Sequence, residues 1–332
     1  MSGIYRFVLA GAAATAALVL AIVGGSTWLV SDQQLDGPPV RLIQRRATPG
    51  FDMRNLTIPA NEIHHGGPPK DGIPAITDPK TVSANRATFL APQDRVVGVA
   101  IGTESRAYPI SILTQHEIVN DVVGGIPIAV TYCPLCDSVV VFDRRTPLGV
   151  KEFGVSGLLY NSNVLMYDRS ERESLWSQML MQGVSGPAAG MRLQALPMEL
   201  TTWQAWRAQH PDTDVMSIDT GYGRNYRQNP YVGYFRQPGL MFPVQPRTNA
   251  LPLKEPVLGI WTDSAALAVP ASYFGGQSGV YAGTLDGKSF EVEYDATDGV
   301  LRMRSADDGL SWANSFWFAW YAFHPNTQLA RR

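Results

Sequence analysis

Apolar residues along this chain fall mostly in short β-branched runs separated by turns, and few stretches carry a helical period. In residues 126–142 (IPIAVTYCPLCDSVVVF), Ile128, Val130 and Tyr132 alternate ahead of a Pro-containing turn, and Val139, Val140, Val141 and Phe142 follow it. That pattern predicts strand, tight turn, strand. Residues 95–101 and 106–109 predict two further short strands around a turn at 102–105. Residues 109–123 predict a short helix in which Ile110, Leu113, Glu117 and Ile118 partly share a face, ending at Gly124-Gly125. Residues 150–178 predict at least two strands joined at the charged turn 169–173. A helix over 201–210 is stopped by Pro211. Residues 55–79, dense in Gly and Pro, predict an ordered loop or extended arm, and 221–256 is turn-rich. Strands resume at Val257, and the aromatic run 315–324 closes the chain as a helix or a strand. The fold class expected is mainly β, a β-rich α+β fold with short helices.

Residues 7–30 break this pattern, with 24 positions free of charge. A bilayer needs about 20 apolar residues. Arg6 precedes the run, and Asp32 and Asp36 follow it, so the N-terminus is expected in the cytoplasm. A cleaved signal peptide is the rival reading, but the run is long for one and lacks a clean A-x-A site. The expected organisation is a membrane anchor over 1–31, a tether over 32–54, and one β-rich domain over 55–332. The body would lie on the periplasmic or extracellular side of the cytoplasmic membrane, where disulfides are favoured. The expected partners are the membrane itself and a membrane protein.

Three ordered echoes suggest a diverged internal duplication, with pseudo-repeats at about 93–214 and 255–328. VVGVAIGTESRAYPISIL (96–113) faces VLGIWTDSAALAVPASYF (257–274), with Gly98 and Pro109 matching Gly259 and Pro270. Tyr132-Cys133-x-x-Cys136 faces Tyr294-Asp295-x-x-Asp298. W-x-x-W-x-x-x-H-P-x-T occurs at 203–213 and again at 317–327. The second copy lacks the thiols, and it lacks roughly 45 residues of the first.

Composition narrows the chemistry. The chain has 332 residues, 45% of them apolar, with a net charge of −2. Its pI is near 6.2, and with no basic run nothing suggests nucleic acid as a partner. Its only two cysteines are Cys133 and Cys136. No helix follows them, so the thioredoxin arrangement is not indicated, and Asp137 stands where haem attachment requires His. Two thiols on a tight turn can ligate a metal ion (zinc, iron or copper), form a redox-active disulfide, or sit inert. Zinc or iron would need further ligands; His116 is the nearest His, with Glu117 beside it. His64 and His65 are further candidates. His210 and His324, each before a proline at a helix end, read as structural caps. Residues 156–178 mix Ser156, Asn161, Asp168 and Gln178 with aromatics including Trp176, which could line a pocket or bond within a sheet. No G-x-S-x-G, H-E-x-x-H, P-loop or dinucleotide-binding glycine pattern occurs.

GGPPKDGIPAI, HEIVND, TYCPLC, FGVSGLLYNSNVLMYD, SLWSQ, TTWQAW with HPDT, and FWFAW with FHP resemble, in that order, an uncharacterised bacterial and archaeal family. It is known only as a domain of unknown function with a Cys-Pro-Leu-Cys core. The resemblance covers about residues 55–328 and implies one domain type in an exported location. Family members generally carry Gly after the second Cys; Asp137 here is a departure that counts against a metal knuckle. Two functions are expected. The first is a non-catalytic, membrane-anchored binding or accessory subunit of a membrane complex. The alternative is a metal- or thiol-dependent oxidoreductase centred on the Cys pair.

Overall fold

The computed structural model describes residues 19–23, 26–30 and 50–332. Val19–Val23 and Ser26–Val30 pair antiparallel. The rest of the expected anchor, 1–31, and most of the tether lie outside the described residues. No helix among those described is long and apolar enough to cross a membrane. The body over 50–332 is β-rich with short helices, as the apolar pattern predicts.

Its centre is the antiparallel meander Ile118–Val123, Ile126–Cys133, Ser138–Asp143. Alternate residues of these strands enter two different cores. Ile128, Val130, Tyr132, Val139 and Val141 pack with Val97, Tyr108 and Leu113 on one side. Ala129, Cys133, Val140 and Phe142 pack with Phe153, Val164, Met166 and Trp176 on the other. Both faces are buried, which explains why these strands read as near-continuous apolar runs. The second layer is the sheet formed by Phe153–Tyr160, Asn163–Asp168 and Leu175–Ser177, edged by Ile63–His65. Its Asn163–Asp168 and Leu175–Ser177 strands join across 169–174, as the charged turn predicts.

The helix expected over 109–123 is shorter than predicted. Ile110–His116 is helical, Glu117 reverses the backbone at φ 59, and Ile118–Val123 is a strand. Ile118, Val119, Val122 and Val123 are β-branched, and pairing with Ile126–Cys133 outweighs the partial helical period. The aromatic run at the C-terminus divides likewise into the strand Ser311–Phe316 and the helix Trp317–Phe323.

One arrangement recurs in the two halves. Arg95–Ile101 pairs with Glu104–Pro109 and with Glu199–Thr202. The helix Trp203–Gln209 follows, and Asp214–Met216 returns parallel to Glu104–Pro109. In the second half Pro256–Trp261 pairs with Ala266–Pro270 and with Ser311–Phe316. The helix Trp317–Phe323 follows, and Gln328–Leu329 returns parallel to Ala266–Pro270. Trp206 lies flat on Gly98 and donates to Thr213 Oγ1 at 3.0 Å; Trp320 lies on Gly259 and donates to Thr327 Oγ1 at 2.9 Å. His210 and His324 stack on these indoles at 4.0 and 3.9 Å between centroids, so each has a packing role. The two meanders match as well: Cys133 pairs with Ser138 across its turn, and Asp295 with Val300 across the other. The first half alone carries the second sheet; in the second, only 307–310 separate Val300–Ala306 from Ser311–Phe316.

Candidate functional site

The cysteine turn is closed by a hydrogen bond from Cys136 N to Cys133 O at 3.1 Å and by Asp137 in a left-handed conformation, φ 46. Gly299 holds the matching place at φ 68. Asp137 keeps this costly backbone because its carboxylate has work to do there. It accepts two bonds from the Arg95 guanidinium, at 3.1 and 3.0 Å, and one from the Tyr132 hydroxyl at 2.8 Å. The turn is anchored twice more: Phe316 N donates to Cys136 O at 2.7 Å, and the Tyr234 hydroxyl donates to Leu135 O at 2.9 Å.

Facing the thiols is the two-residue turn Asn161-Ser162, between Phe153–Tyr160 and Asn163–Asp168. Both residues have positive φ, 50 and 62, as a tight hairpin turn requires. The Ser162 carbonyl points at the cysteines and accepts from Cys136 Sγ at 3.2 Å and, more weakly, from Cys133 Sγ at 3.8 Å. The Ser162 side chain is fully buried and its Oγ has no partner. Glu117, Asp137, Asn161 and Ser162 are four of the eight non-glycine residues with positive φ among those described, and all border the cysteine hairpin or its facing turn. Strain gathered in this way marks a site whose geometry is held for use.

Behind the sulfurs lies a closed polar network. Gln178 Oε1 accepts from Ser138 Oγ at 2.7 Å and from Asn163 Nδ2 at 2.8 Å, and Gln178 Nε2 donates to Thr131 Oγ1 at 2.9 Å. All four side chains are buried. Every member is paired, so the network fixes the hairpin against the second sheet.

The two thiols are electrostatically unequal. Burial pushes the Cys133 thiol up, but the Cys136 side chain and the backbone N–H groups of Cys136, Val164 and Leu135 outweigh it, and the net shift is down. Burial, then the neighbouring Cys133, push Cys136 well above its ordinary range. Glu117, 8% exposed, is driven well upward by burial and then by the Cys133 sulfur. Tyr231 and Tyr234 are raised by burial and then by these same acidic groups. Both tyrosines belong to the turn-rich stretch 217–255, which covers the thiols. Lys254 is lowered to about 8 by burial; it sits 3.5 Å from the Tyr234 ring centroid and donates to Gln237 O at 2.6 Å. Gln245 N donates to Asn161 Oδ1 at 2.9 Å, tying this cover to the facing turn.

The sequence candidates disperse around this centre. His116 neighbours Glu117, but both of its nitrogens are occupied. Nδ1 donates to the Pro74 carbonyl at 2.7 Å, and Nε2 therefore accepts from the Tyr226 hydroxyl at 2.7 Å. Burial lowers it to about 4, so it is a neutral imidazole whose two nitrogens are both engaged. His64 and His65 sit on the edge strand Ile63–His65, where His65 Nδ1 accepts from Gly67 N at 3.0 Å. Trp176 donates to Asp168 at 2.7 Å, locking two strands of the second sheet, and Ser156 supports a bulge in the same sheet through Leu158 N and Leu165 O. His64, His65, Ser156, Asp168 and Trp176 make no hydrogen bond to the cysteine turn, although Trp176 packs in the same core, whereas Gln178 bonds Ser138 beside the turn and Asn161 lies in the turn that faces it. Ser162 and Asn163, from the same polar run 156–178, belong to it too, and Thr131, Ser138, Tyr231 and Tyr234 join it without having been singled out. Their only signal was the N-S pair of a tight turn and polar residues placed mid-strand.

Both cysteines are free, buried thiols, 2% and 0% exposed. Among the described residues no group of three or more His, Cys, Asp or Glu side chains is placed to hold a metal ion. The pair can therefore exchange between dithiol and disulfide or hold an ion that needs only two sulfur donors. No match was found among curated proteins or among solved structures. One family profile matches residues 70–310, spanning the Cys hairpin, both sheets of the first half and most of the second. The chain belongs to this family, a protein family of unknown function (DUF3179).

Proposed function

We propose that this protein is a thiol-dependent redox protein whose working group is the Cys133–Cys136 pair, alternating between dithiol and disulfide. The observation that carries this reading is the geometry of two free, buried thiols on one closed turn that both end on the Ser162 carbonyl, with N–H donors favouring the thiolate at Cys133. A thiolate is the nucleophile in disulfide exchange, so Cys133 attacks the sulfur of an external disulfide. Glu117 beside it, its carboxyl raised by burial, is the group placed to supply a proton to the departing thiolate. Cys136 then loses its proton and attacks Cys133, closing the protein disulfide and releasing the second thiol. The cover over 217–255 has to open for this exchange, since attack needs an accessible sulfur.

The halves are read as a diverged tandem duplication in which only the first keeps the thiols. The uncharged run 7–30 supports a membrane anchor with the body outside the cytoplasm, a compartment that permits disulfide chemistry. A mature N-terminus between residues 25 and 36, found by mass spectrometry, would overturn that placement. A second reading, the accessory subunit of a membrane complex, is favoured by the exposed Ile218, Tyr222, Val232 and Met241 on the cover. In-cell cross-linking from those positions should then capture a membrane protein, and their replacement by Ser should abolish it.

Site-resolved alkylation across pH tests the redox reading. Modification of Cys133 should rise at lower pH than that of Cys136, in protein opened by mild denaturant and in the matching single-Cys variants. Equal profiles, or Cys136 leading, would refute the assigned roles.

A further inference from the structure

We propose that the reduced pair binds one Cu(I) ion through the two thiolates alone. The inference rests on the proposed function only in requiring that Cys133 and Cys136 exist as a dithiol. Both S–H groups end on one acceptor, the Ser162 carbonyl, at 3.8 and 3.2 Å, so the two sulfurs face the same small volume. The buried Ser162 Oγ, in that same turn, has no partner, a second sign that the space is built for something more than packing.

The donor set selects the ion. Zinc and iron fill four positions in structural thiolate sites, and here the nearest imidazole, His116, is bonded at both nitrogens, to Pro74 O and Tyr226 OH. Among the described residues no third Cys, His, Asp or Glu completes a cluster. Cu(I) is soft, prefers thiolate sulfur, and is satisfied by two of them in a linear arrangement. Two thiolates and one Cu(I) leave a single buried negative charge. The N–H groups of Leu135, Cys136 and Val164 on Cys133, and the Asn163 amide on Cys136, offset it.

Binding balances as Cu(I) plus two thiols giving the bis-thiolate complex and two protons. Affinity therefore rises between about tenfold and about a hundredfold per pH unit, depending on whether Cys133 is already ionised.

The test uses the full chain, reduced and kept anaerobic in detergent, titrated with Cu(I) against a chromogenic Cu(I) chelator. Expected are one equivalent bound, two sulfur neighbours by X-ray absorption, and loss of at least a hundredfold in affinity in Cys133→Ser and in Cys136→Ser. Circular dichroism and melting confirm that both variants fold; if one does not, alkylating the pair in the native chain must abolish binding instead. Failure to take up one equivalent overturns the inference, as does equal uptake by Cys136→Ser, or Zn(II) held in preference to Cu(I). A pair that cycles between dithiol and disulfide but takes no Cu(I) sinks this inference alone. A pair that binds Cu(I) but never forms a disulfide sinks the redox reading alone.

Discussion

Glu117→Gln is the substitution that reads the electrostatics of the site most cleanly. The folded chain keeps a proton on Glu117 well above the ordinary value of 4.5, because burial and the Cys133 sulfur oppose the carboxylate. The unfolded chain releases that proton at its ordinary value. The group's stabilising contribution is thus fully present below pH 4.5 and is lost as pH rises toward the folded value. The loss is about 1.4 kcal/mol for each pH unit in that window. Glutamine cannot titrate, so the variant has no such slope. Its amide brings buried donors without partners, at a pH-independent cost of about 1–3 kcal/mol. The variant should start below the native protein at pH 5 and gain on it by about 1.4 kcal/mol per unit until the pH passes the folded value of Glu117. Denaturant unfolding of both proteins, followed by tryptophan fluorescence at half-unit steps from pH 5 to 8, yields the difference directly. A difference that stays flat, or moves against the variant as pH rises, would mean that Glu117 is ionised in the fold and that the account of the site is wrong.

Gly98→Ala and Gly259→Ala should each lower the unfolding free energy by about 3 kcal/mol or more, near the upper end for overpacking. In both, the new Cβ would lie 2.2 Å from the indole of Trp206 or Trp320, which its Thr bond holds in place. Denaturant midpoints check this, and a neutral result at either site would contradict the matched packing. Asp137→Gly should be more stable than Asp137→Ala by about 1 kcal/mol, since both lose Arg95 and Tyr132 but only alanine keeps a strained left-handed backbone. Gln178→Leu should cost about 1–3 kcal/mol for each partner it strands among Ser138, Asn163 and Thr131. Thermal melts should show that loss, along with faster alkylation of the cysteines.

The cysteine hairpin was legible because β-branched runs flank both sides of the turn and leave no room for a helix. The recurring half was legible for a comparable reason. A strand glycine against an indole, with a threonine to take the indole N–H, demands those residue types at fixed spacing, so Gly98, Trp206 and Thr213 reappear as Gly259, Trp320 and Thr327. Glu117 was misread as helical, since the reversal at φ 59 comes from strand pairing beyond it and not from any local breaker. His116 looked like a ligand because its partners, Pro74 O and Tyr226, lie far away in sequence. Ser162 was legible only as one polar residue of the run 156–178, as it acts through its backbone carbonyl, which every residue has. The cover over 217–255 has no period to read, and its role follows only from where Tyr231, Tyr234 and Gln245 land.

The central claim is that Cys133 and Cys136 form one reversible two-electron couple. It is met most directly by equilibrating the protein in graded thiol–disulfide buffers, trapping free thiols with an alkylating agent, and weighing the intact chain. The account predicts a single transition from two trapped thiols to none, with one midpoint, a Nernst slope near 30 mV per decade, and no transition in Cys133→Ser or Cys136→Ser. Two thiols still trapped at the oxidising limit, or a mixed population with no defined midpoint, would contradict it.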